Sequence, residues 1–276
     1  MSTPYPFTDR TAIVTGAASG IGAALARGLA ARGCRLALAD INMEGLEAVA
    51  ASLDLEPGRV SLHSLDVSDR DAINAFPDAV RAAHGGAALL FNNAGVALGG
   101  RFDEVSERDF DWLLSINFWG VVRMTRAFLP MLTASGDAHI TNISSLFGLI
   151  APAGQVAYSS SKFAVRGFSD SLRHELRGGP VGITTVHPGG IATSIARNAR
   201  VPAGAPAADE AAGKANIDKF LVMPPDEAAA TILKGVERRL PRVIVGRDAH
   251  FAAIIERLFP AHYWNIIGRR TKTEAK

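Results

Sequence analysis

The chain has 276 residues, 48% of them apolar and 20% charged, which suits a water-soluble globular fold with a large core. Its 29 basic and 27 acidic residues leave a formal charge of +2, too small a field to point to nucleic acid as a partner. No apolar run approaches the roughly 18 residues needed to span a bilayer.

The first ten residues combine two prolines with charge and have no apolar signal core, so no targeting segment is expected. Beyond them, short β-rich runs alternate with longer helical stretches. Thr11–Thr15, Arg35–Ala39, Ala88–Phe91, His139–Ile143, Ile183–Val186 and Arg242–Val245 read as buried strands, with Val60–Leu65 a weaker one. Helical spacing marks Ile21–Ala31 and Val156–Leu176. Near-continuous apolar strands separated by helices predict an α/β fold, a single-domain doubly wound parallel sheet of Rossmann type with helices on both faces. An Ala/Gly/Pro-rich stretch at about 192–225 reads as an insertion inside that one domain, and about 248–270 as a C-terminal helical tail. The single cysteine, Cys34, excludes an internal disulfide, and the expected compartment is the reducing cytoplasm.

The first strand runs into Thr15-Gly-Ala-Ala-Ser-Gly-Ile-Gly22 and then a helix. Glycines at 16, 20 and 22 allow a tight turn and close approach of the backbone to a pyrophosphate at the positive helix N-terminus. The spacing differs from the common G-x-G-x-x-G, and its place between strand and helix is what favours a nucleotide over an ordinary turn. Asp40 ends the second strand, where a carboxylate can accept both adenosine ribose hydroxyls and repel a 2′-phosphate. A helix N-cap is the plain structural alternative for Asp40. Arg35 lies at the far end of the same strand and should not reach a ribose.

With Asn92-Asn93-Ala94-Gly95, Asn117, Ser145, Tyr158-Ser-Ser-Ser-Lys162, Pro188-Gly189 and Thr193, the chain resembles the short-chain dehydrogenase/reductases over about residues 8–195. The resemblance implies NAD or NADP as cofactor. It implies cofactor contacts at Gly16, Ser19, Gly20, Ile21, Gly22, Asp40, Asp66, Val67, Asn93, Ala94, Gly95, Tyr158, Lys162, Pro188, Gly189, Ile191 and Thr193. Ser19 stands where members preferring the phosphorylated cofactor often carry Arg or Lys, so with Asp40 it favours NAD. An Asp before a helix, as at Asp66, is also an ordinary cap.

The resemblance makes Ser145, Tyr158, Lys162 and Asn117 the catalytic set. Chemically, hydride leaves a carbinol carbon readily only when its oxygen loses a proton, so a base belongs there. Ionising a tyrosine at pH 7 costs about 4 kcal/mol, and one ammonium ~4 Å away at an effective dielectric of ~20 offsets about that much. Tyr158 and Lys162, four apart on a helix, share a face. Ser145 can hold the substrate oxygen, whereas Ser144, one residue off, should point away. His187 reads as structural. The seven histidines show no metal-ligand spacing, so no metal site is expected, and the absence of a G-x-S-x-G elbow weakens a hydrolase reading of Ser145.

Leu146, Phe147, Leu149, Ile150, Ala151 and Pro152, with the insertion, are expected to wall an apolar pocket. The expected activity is hydride transfer between nicotinamide and a hydrophobic secondary alcohol or ketone. The alternatives are an NADP-dependent 3-oxoacyl thioester reductase and a dinucleotide-sensing binding protein. In the tail, Phe251, Ile254, Ile255, Leu258 and Phe259 form a helical stripe, Pro260 interrupts it, and Tyr263-Trp264-Asn265-Ile266-Ile267 follows before Arg269, Arg270 and Lys272. Such a stripe is expected against the body or a second subunit of a homodimer or homotetramer; membrane attachment is the lesser alternative.

Overall fold

A computed structural model of the chain describes residues 3–195, 197–202 and 220–273. Its strands are β1 (Thr11–Thr15), β2 (Arg35–Asp40), β3 (Val60–Ser64), β4 (Leu89–Asn92), β5 (Ala138–Ile143), β6 (Val181–Pro188) and β7 (Arg242–Val245). Between and after them lie α1 (Gly20–Ala30), α2 (Met43–Ala51), α3 (Arg70–His84), α4 (Glu107–Leu114), α5 (Val121–Ala134), α6 (Val156–Glu175), α7 (Pro225–Glu237), α8 (Arg247–Leu258) and α9 (Tyr263–Thr273). The strands form one parallel sheet in the order β3-β2-β1-β4-β5-β6-β7. Winding runs outward in both directions from the β1–β4 seam, so the carboxyl ends of those two strands frame the crevice where such sheets bind ligands.

Strand alternation sends successive apolar residues to opposite faces. Ala12, Val14, Leu36, Leu38, Leu89 and Phe91 join α1 and α7 residues in one core, while Ile13, Ala37, Ala39, Leu90 and Ile140 join α3 and α5 residues in the other. Burial on both faces explains why these strands read as unbroken apolar runs. The edge strand β3 is only part-buried, which accounts for its weaker signal.

Helix starts are set by short polar side chains. Asn42 accepts from the Gly45 amide on α2, Asp69 from the Asp71 and Ala72 amides on α3, and Ser106 from the Asp109 amide on α4. Helix α1 is different: Ser19 makes no side-chain cap and its first turn holds no acid. Its free positive end faces the β1–β4 crevice.

Most of the 192–225 insertion lies outside the described residues; residues 197–202 return across the loop after β4, where Leu98 bridges Arg200. The tail begins slightly earlier than expected, at Arg247. Its apolar stripe is not buried against the body: Ile254 is 58% and Leu258 64% exposed, and Ala249 and Ala252 form the buried face instead. The small residues sit where α8 must approach β7 closely, which leaves the larger ones outward. Among the described residues, no helix is long and apolar enough to cross a membrane.

Candidate active site

Thr15 organises the crevice. Its hydroxyl donates to the Phe91 carbonyl at 3.3 Å and accepts from the Asn93 and Ala94 amides, each at 3.0 Å. The Asn93 amide group donates back to the Thr15 and Gly16 carbonyls at 2.9 and 3.1 Å. Asn93 thus spends its side-chain donors on locking the β4 loop to the Gly-rich turn. Gly16 has φ +64, and a Cβ there would lie 2.8 Å from the Ala94 Cα. A Cβ on Gly22 would overlap the Gly16 carbonyl oxygen. The two glycines therefore let α1 begin directly against the end of β1, with the amides of Gly20, Ile21 and Gly22 in its first turn.

Asp40 is not the N-cap of α2; Asn42 is. The Asp40 carboxylate instead accepts the Ala18 amide on one oxygen and the Asn42 amide on the other, both at 3.0 Å. This bridges the Gly-rich turn to the end of β2 and leaves each oxygen a lone pair for a hydroxyl. Asp66 likewise is not the cap of α3, which is Asp69; it is exposed and accepts from the Ser68 amide and hydroxyl. Val67 is buried against Gly120.

The chemistry-bearing residues converge above β4, β5 and β6. Ser145 follows β5, and its hydroxyl draws the Tyr158 phenol downward in pKa. Its Oγ also accepts from the Phe147 amide at 3.1 Å. Lys162, one turn along α6, is buried, with Nζ 5.6 Å from the Tyr158 ring centroid and 3.2 Å from the Ile143 carbonyl. Burial raises the Tyr158 hydroxyl above the usual phenol range against the lowering pull of Ser145, and lowers the Lys162 ammonium to about 8. Ser144 points away, donating to the Lys162 carbonyl at 2.9 Å.

Asn117 sits in a π-helical turn, Ser115–Gly120, between α4 and α5. Extra-residue turns of this kind recur at functional sites. The buried Asn117 side chain exchanges two hydrogen bonds with the Val96 backbone, at 2.8 and 2.9 Å, and donates to Ser161 Oγ at 3.2 Å. Ser161 in turn donates to the Tyr158 carbonyl at 2.7 Å. Gly95 lies between them: a Cβ there would be 3.2 Å from Asn117 Oδ1 and 3.4 Å from Lys162 Nζ. Asn117 therefore ties the β4 loop to the helix carrying Tyr158 and Lys162.

After β6, Gly189 donates to the Val245 carbonyl and Ala192 to that of Met223, each at 2.8 Å. Ile191 is buried, and Thr193 closes over the start of α1, its Cγ2 3.0 Å from where a Gly20 Cβ would be. Pro188 ends β6. His187 holds the Ser145 carbonyl through Nδ1 at 3.0 Å, leaves Nε2 buried without a partner, and is held neutral by burial, down to about 4.

On the substrate side, the Phe147 ring stands edge-on to Tyr158 at 6.1 Å. Leu149 and Ile150, expected in the pocket wall, are instead 3% exposed and belong to the packed interior. Val96, Trp112 and Tyr158 all pack against a small core of Leu98, Leu113 and Ala157, and Arg200 caps the Trp112 ring at 3.5 Å while pairing with Asp109 at 3.1 Å. Ala151, exposed, donates its amide to the Tyr263 hydroxyl at 3.0 Å.

A glycine cradle, an uncapped helix N-terminus, a carboxylate with spare lone pairs and a buried Tyr/Lys/Ser group fit a nicotinamide dinucleotide, and together define a dinucleotide-binding oxidoreductase. Comparison with known proteins gives the family: the short chain dehydrogenase pattern matches residues 10–203, and the chain belongs to that family. It is 42% identical over 264 residues, 95% of each chain, to the candidate oxidoreductase SadH of Mycobacterium tuberculosis. A short chain dehydrogenase/reductase from Burkholderia phymatum, solved with NAD, superposes at TM-score 0.84 with 30% identity, covering 92% of this chain and 94% of that one. A metagenomic short-chain oxidoreductase solved with NADP superposes at 0.70 with 31% identity, covering 87% and 98%. The protein is accordingly an NAD(P)-dependent oxidoreductase acting on CH–OH groups of small molecules.

Thr15 and Ser161 escaped the assignment of site residues. Both lie inside the quoted motifs, so the signal was present but carried no obvious chemistry.

Proposed function

We propose that this enzyme uses NAD to interconvert a hydrophobic secondary alcohol and its ketone, with Tyr158 as the acid/base. The observation that carries the reading is the convergence of Ser145, Tyr158 and Lys162 at the carboxyl ends of β5 and β6, beside the glycine cradle. Ser145 holds the substrate oxygen, and Tyr158 accepts its proton during oxidation and returns it during reduction. Lys162, still protonated near neutral pH, stabilises the tyrosinate and holds the nicotinamide ribose; Asn117 keeps the β4 loop and α6 in register. When bound, the oxidised cofactor supplies the hydride acceptor and a second positive charge.

The preference for NAD rests on Asp40, already bridging two amides and unable to tolerate a phosphate beside it, and on uncharged Ser19. The Phe147 ring against Tyr158, and the apolar cluster of Leu98, Leu113 and Ala157 that Tyr158 shares with Val96 and Trp112, support an apolar substrate. The unit is read as one domain, cytoplasmic, and working as a homodimer or homotetramer.

The test is nicotinamide reduction at 340 nm across a panel of secondary alcohols with NAD and NADP, wild type beside Tyr158→Phe. The expected outcome is NAD-linked turnover of apolar alcohols that falls at least about a thousandfold in the variant while NAD affinity is kept. Undiminished turnover by Tyr158→Phe would remove Tyr158 from the reaction, and turnover only of small polar sugars would remove the apolar substrate.

A further inference from the structure

We propose that Asp248, in the first turn of α8, is a positioning residue that sets the segment closing over the nicotinamide. The proposal rests on the family resemblance of His187–Thr193, which implies a clamp on the nicotinamide carboxamide through the Ile191 backbone and the Thr193 hydroxyl. Asp248 Oδ2 accepts the Gly190 amide at 2.7 Å, across 58 residues of sequence. A Cβ on Gly189 or on Gly246 would overlap the carboxylate, so the chain threads this side chain between two glycines.

The surrounding contacts show why this bond matters. Gly189 is held by the Val245 carbonyl, Ala192 by the Met223 carbonyl, and the Gly190 carbonyl accepts the Val222 and Met223 amides at 3.1 Å. Those holds are all backbone to backbone. Among the described residues, Asp248 makes the one side-chain hydrogen bond to the backbone of 189–192. Asp248 takes the Gly190 amide while the Val222–Met223 chain takes the Gly190 carbonyl, so the two peptides flanking the Gly190 Cα, just before Ile191, are each held. The direction of the Ile191 and Thr193 groups then depends on a carboxylate contributed by the C-terminal tail. Asp248 itself stands behind the clamp and acts through Gly190.

This separates the two halves of the cofactor. The adenosine half meets Asp40 and the start of α1, distant from Asp248 in the chain and sharing no contact with it. The nicotinamide half meets the clamp. Removing the acceptor should therefore weaken a ligand that has the nicotinamide and spare one that lacks it. A charge-assisted hydrogen bond of this kind is commonly worth tenfold or more in affinity.

The experiment is titration calorimetry of NAD and of ADP-ribose against wild type, Asp248→Ala, Asp248→Ser and Asp248→Asn, each with a thermal melt. Serine keeps a polar first-turn residue but is too short to reach Gly190; asparagine keeps the acceptor. The expected result is NAD affinity lowered about tenfold in the Ala and Ser variants, ADP-ribose affinity within about twofold, and both restored in Asn. Unchanged NAD affinity in whichever of Ala and Ser folds, or equal weakening of both ligands, overturns the role. Wild type that binds ADP-ribose but gains nothing from the nicotinamide overturns the clamp reading and this proposal with it; wild type binding neither refutes the cofactor assignment itself.

Discussion

Replacing Asp40 with alanine tests the cofactor assignment at the residue on which it rests. In the folded chain its two carboxylate oxygens each accept one backbone amide, from Ala18 and Asn42, at 3.0 Å. Each also has a lone pair for a ribose hydroxyl. A hydrogen bond to a charged group contributes roughly 1.5–3 kcal/mol, so NAD gains about 3–6 kcal/mol from two. NADP forfeits the 2′-hydroxyl contact and adds repulsion. A phosphate of charge about −2 held ~5 Å away on this half-exposed rim, at the dielectric of water, costs about 1.7 kcal/mol. Wild type should therefore prefer NAD by about 3–5 kcal/mol, or at least a hundredfold.

Asp40→Ala removes both terms together. NAD affinity should drop by two orders of magnitude or more, NADP affinity should hold or rise, and the preference should shrink to within about tenfold. The exposed side of Asp40 lets water reach the two released amides, so the fold should lose only about 1–2 kcal/mol. Calorimetric titration of both cofactors needs no knowledge of the substrate and reads the ratio directly, with a thermal melt as control. A wild type that prefers NADP, or a ratio that Asp40→Ala leaves unmoved, would refute the reasoning.

Two further predictions follow from buried ionisable groups. Lys162 falls to about 8 from 10.5, so between those values the unfolded chain binds more protons and stability rises with pH; below 8 the folded state carries the full penalty, about 3 kcal/mol. Lys162→Met should remove that penalty, less about 1 kcal/mol for the lost bond to Ile143, and raise Tm by roughly 4 °C at pH 7. The gain should vanish toward pH 10.5 in melts, and a Tm lowered at pH 7 would contradict it. His139 and His187 are depressed from 6.5 to about 3 and about 4, so their contribution to stability is complete above pH 6.5 and is lost as pH falls toward those values. Each should give a slope of up to about 1.4 kcal/mol per pH unit below 6.5. Because an asparagine amide can keep the bond to the Ser145 carbonyl, His187→Asn should roughly halve the acid slope; an unchanged slope would exclude His187.

The fold was legible because burial on both faces imposes continuous apolar strands, and boundaries slipped only where that rule gives way. Strand β4 runs one residue past the apolar stretch Ala88–Phe91 because Asn92 is paired inside the core, donating to Asn142 at 2.8 Å and Thr125 at 3.1 Å. Strand β6 extends beyond Ile183–Val186 at both ends, through Gly182 and Pro188, residues that ordinarily punctuate strands. At Pro188 pairing survives because the neighbouring Gly189 amide supplies the bond to Val245. Leu149 and Ile150 misled because apolar residues beside a catalytic serine look the same in sequence whether they line a pocket or fill a core.

The site divides in the same way. Residues that act on a ligand have side chains whose chemistry and spacing stand out: a tyrosine and lysine one turn apart, a carboxylate ending a strand, glycines before a helix. Residues that hold them do so through side-chain hydrogen bonds to backbone. Thr15 spans the β1–β4 seam, Asn117 joins the β4 loop to α6, Ser144 holds α6 to the end of β5, and Asp248 holds the clamp. Tyr263 reaches back from α9 to the Ala151 amide, so the tail meets the substrate side as well as the cofactor side. Each of these bonds joins segments far apart in sequence, and a Thr, Asn or Asp that makes one is indistinguishable in the chain from one that faces water. Positional accuracy at the reacting atoms depends on this second group, since a displacement of about 1 Å can cost a hundredfold in rate. Substitutions in the tail should therefore alter catalysis while the motif residues remain intact.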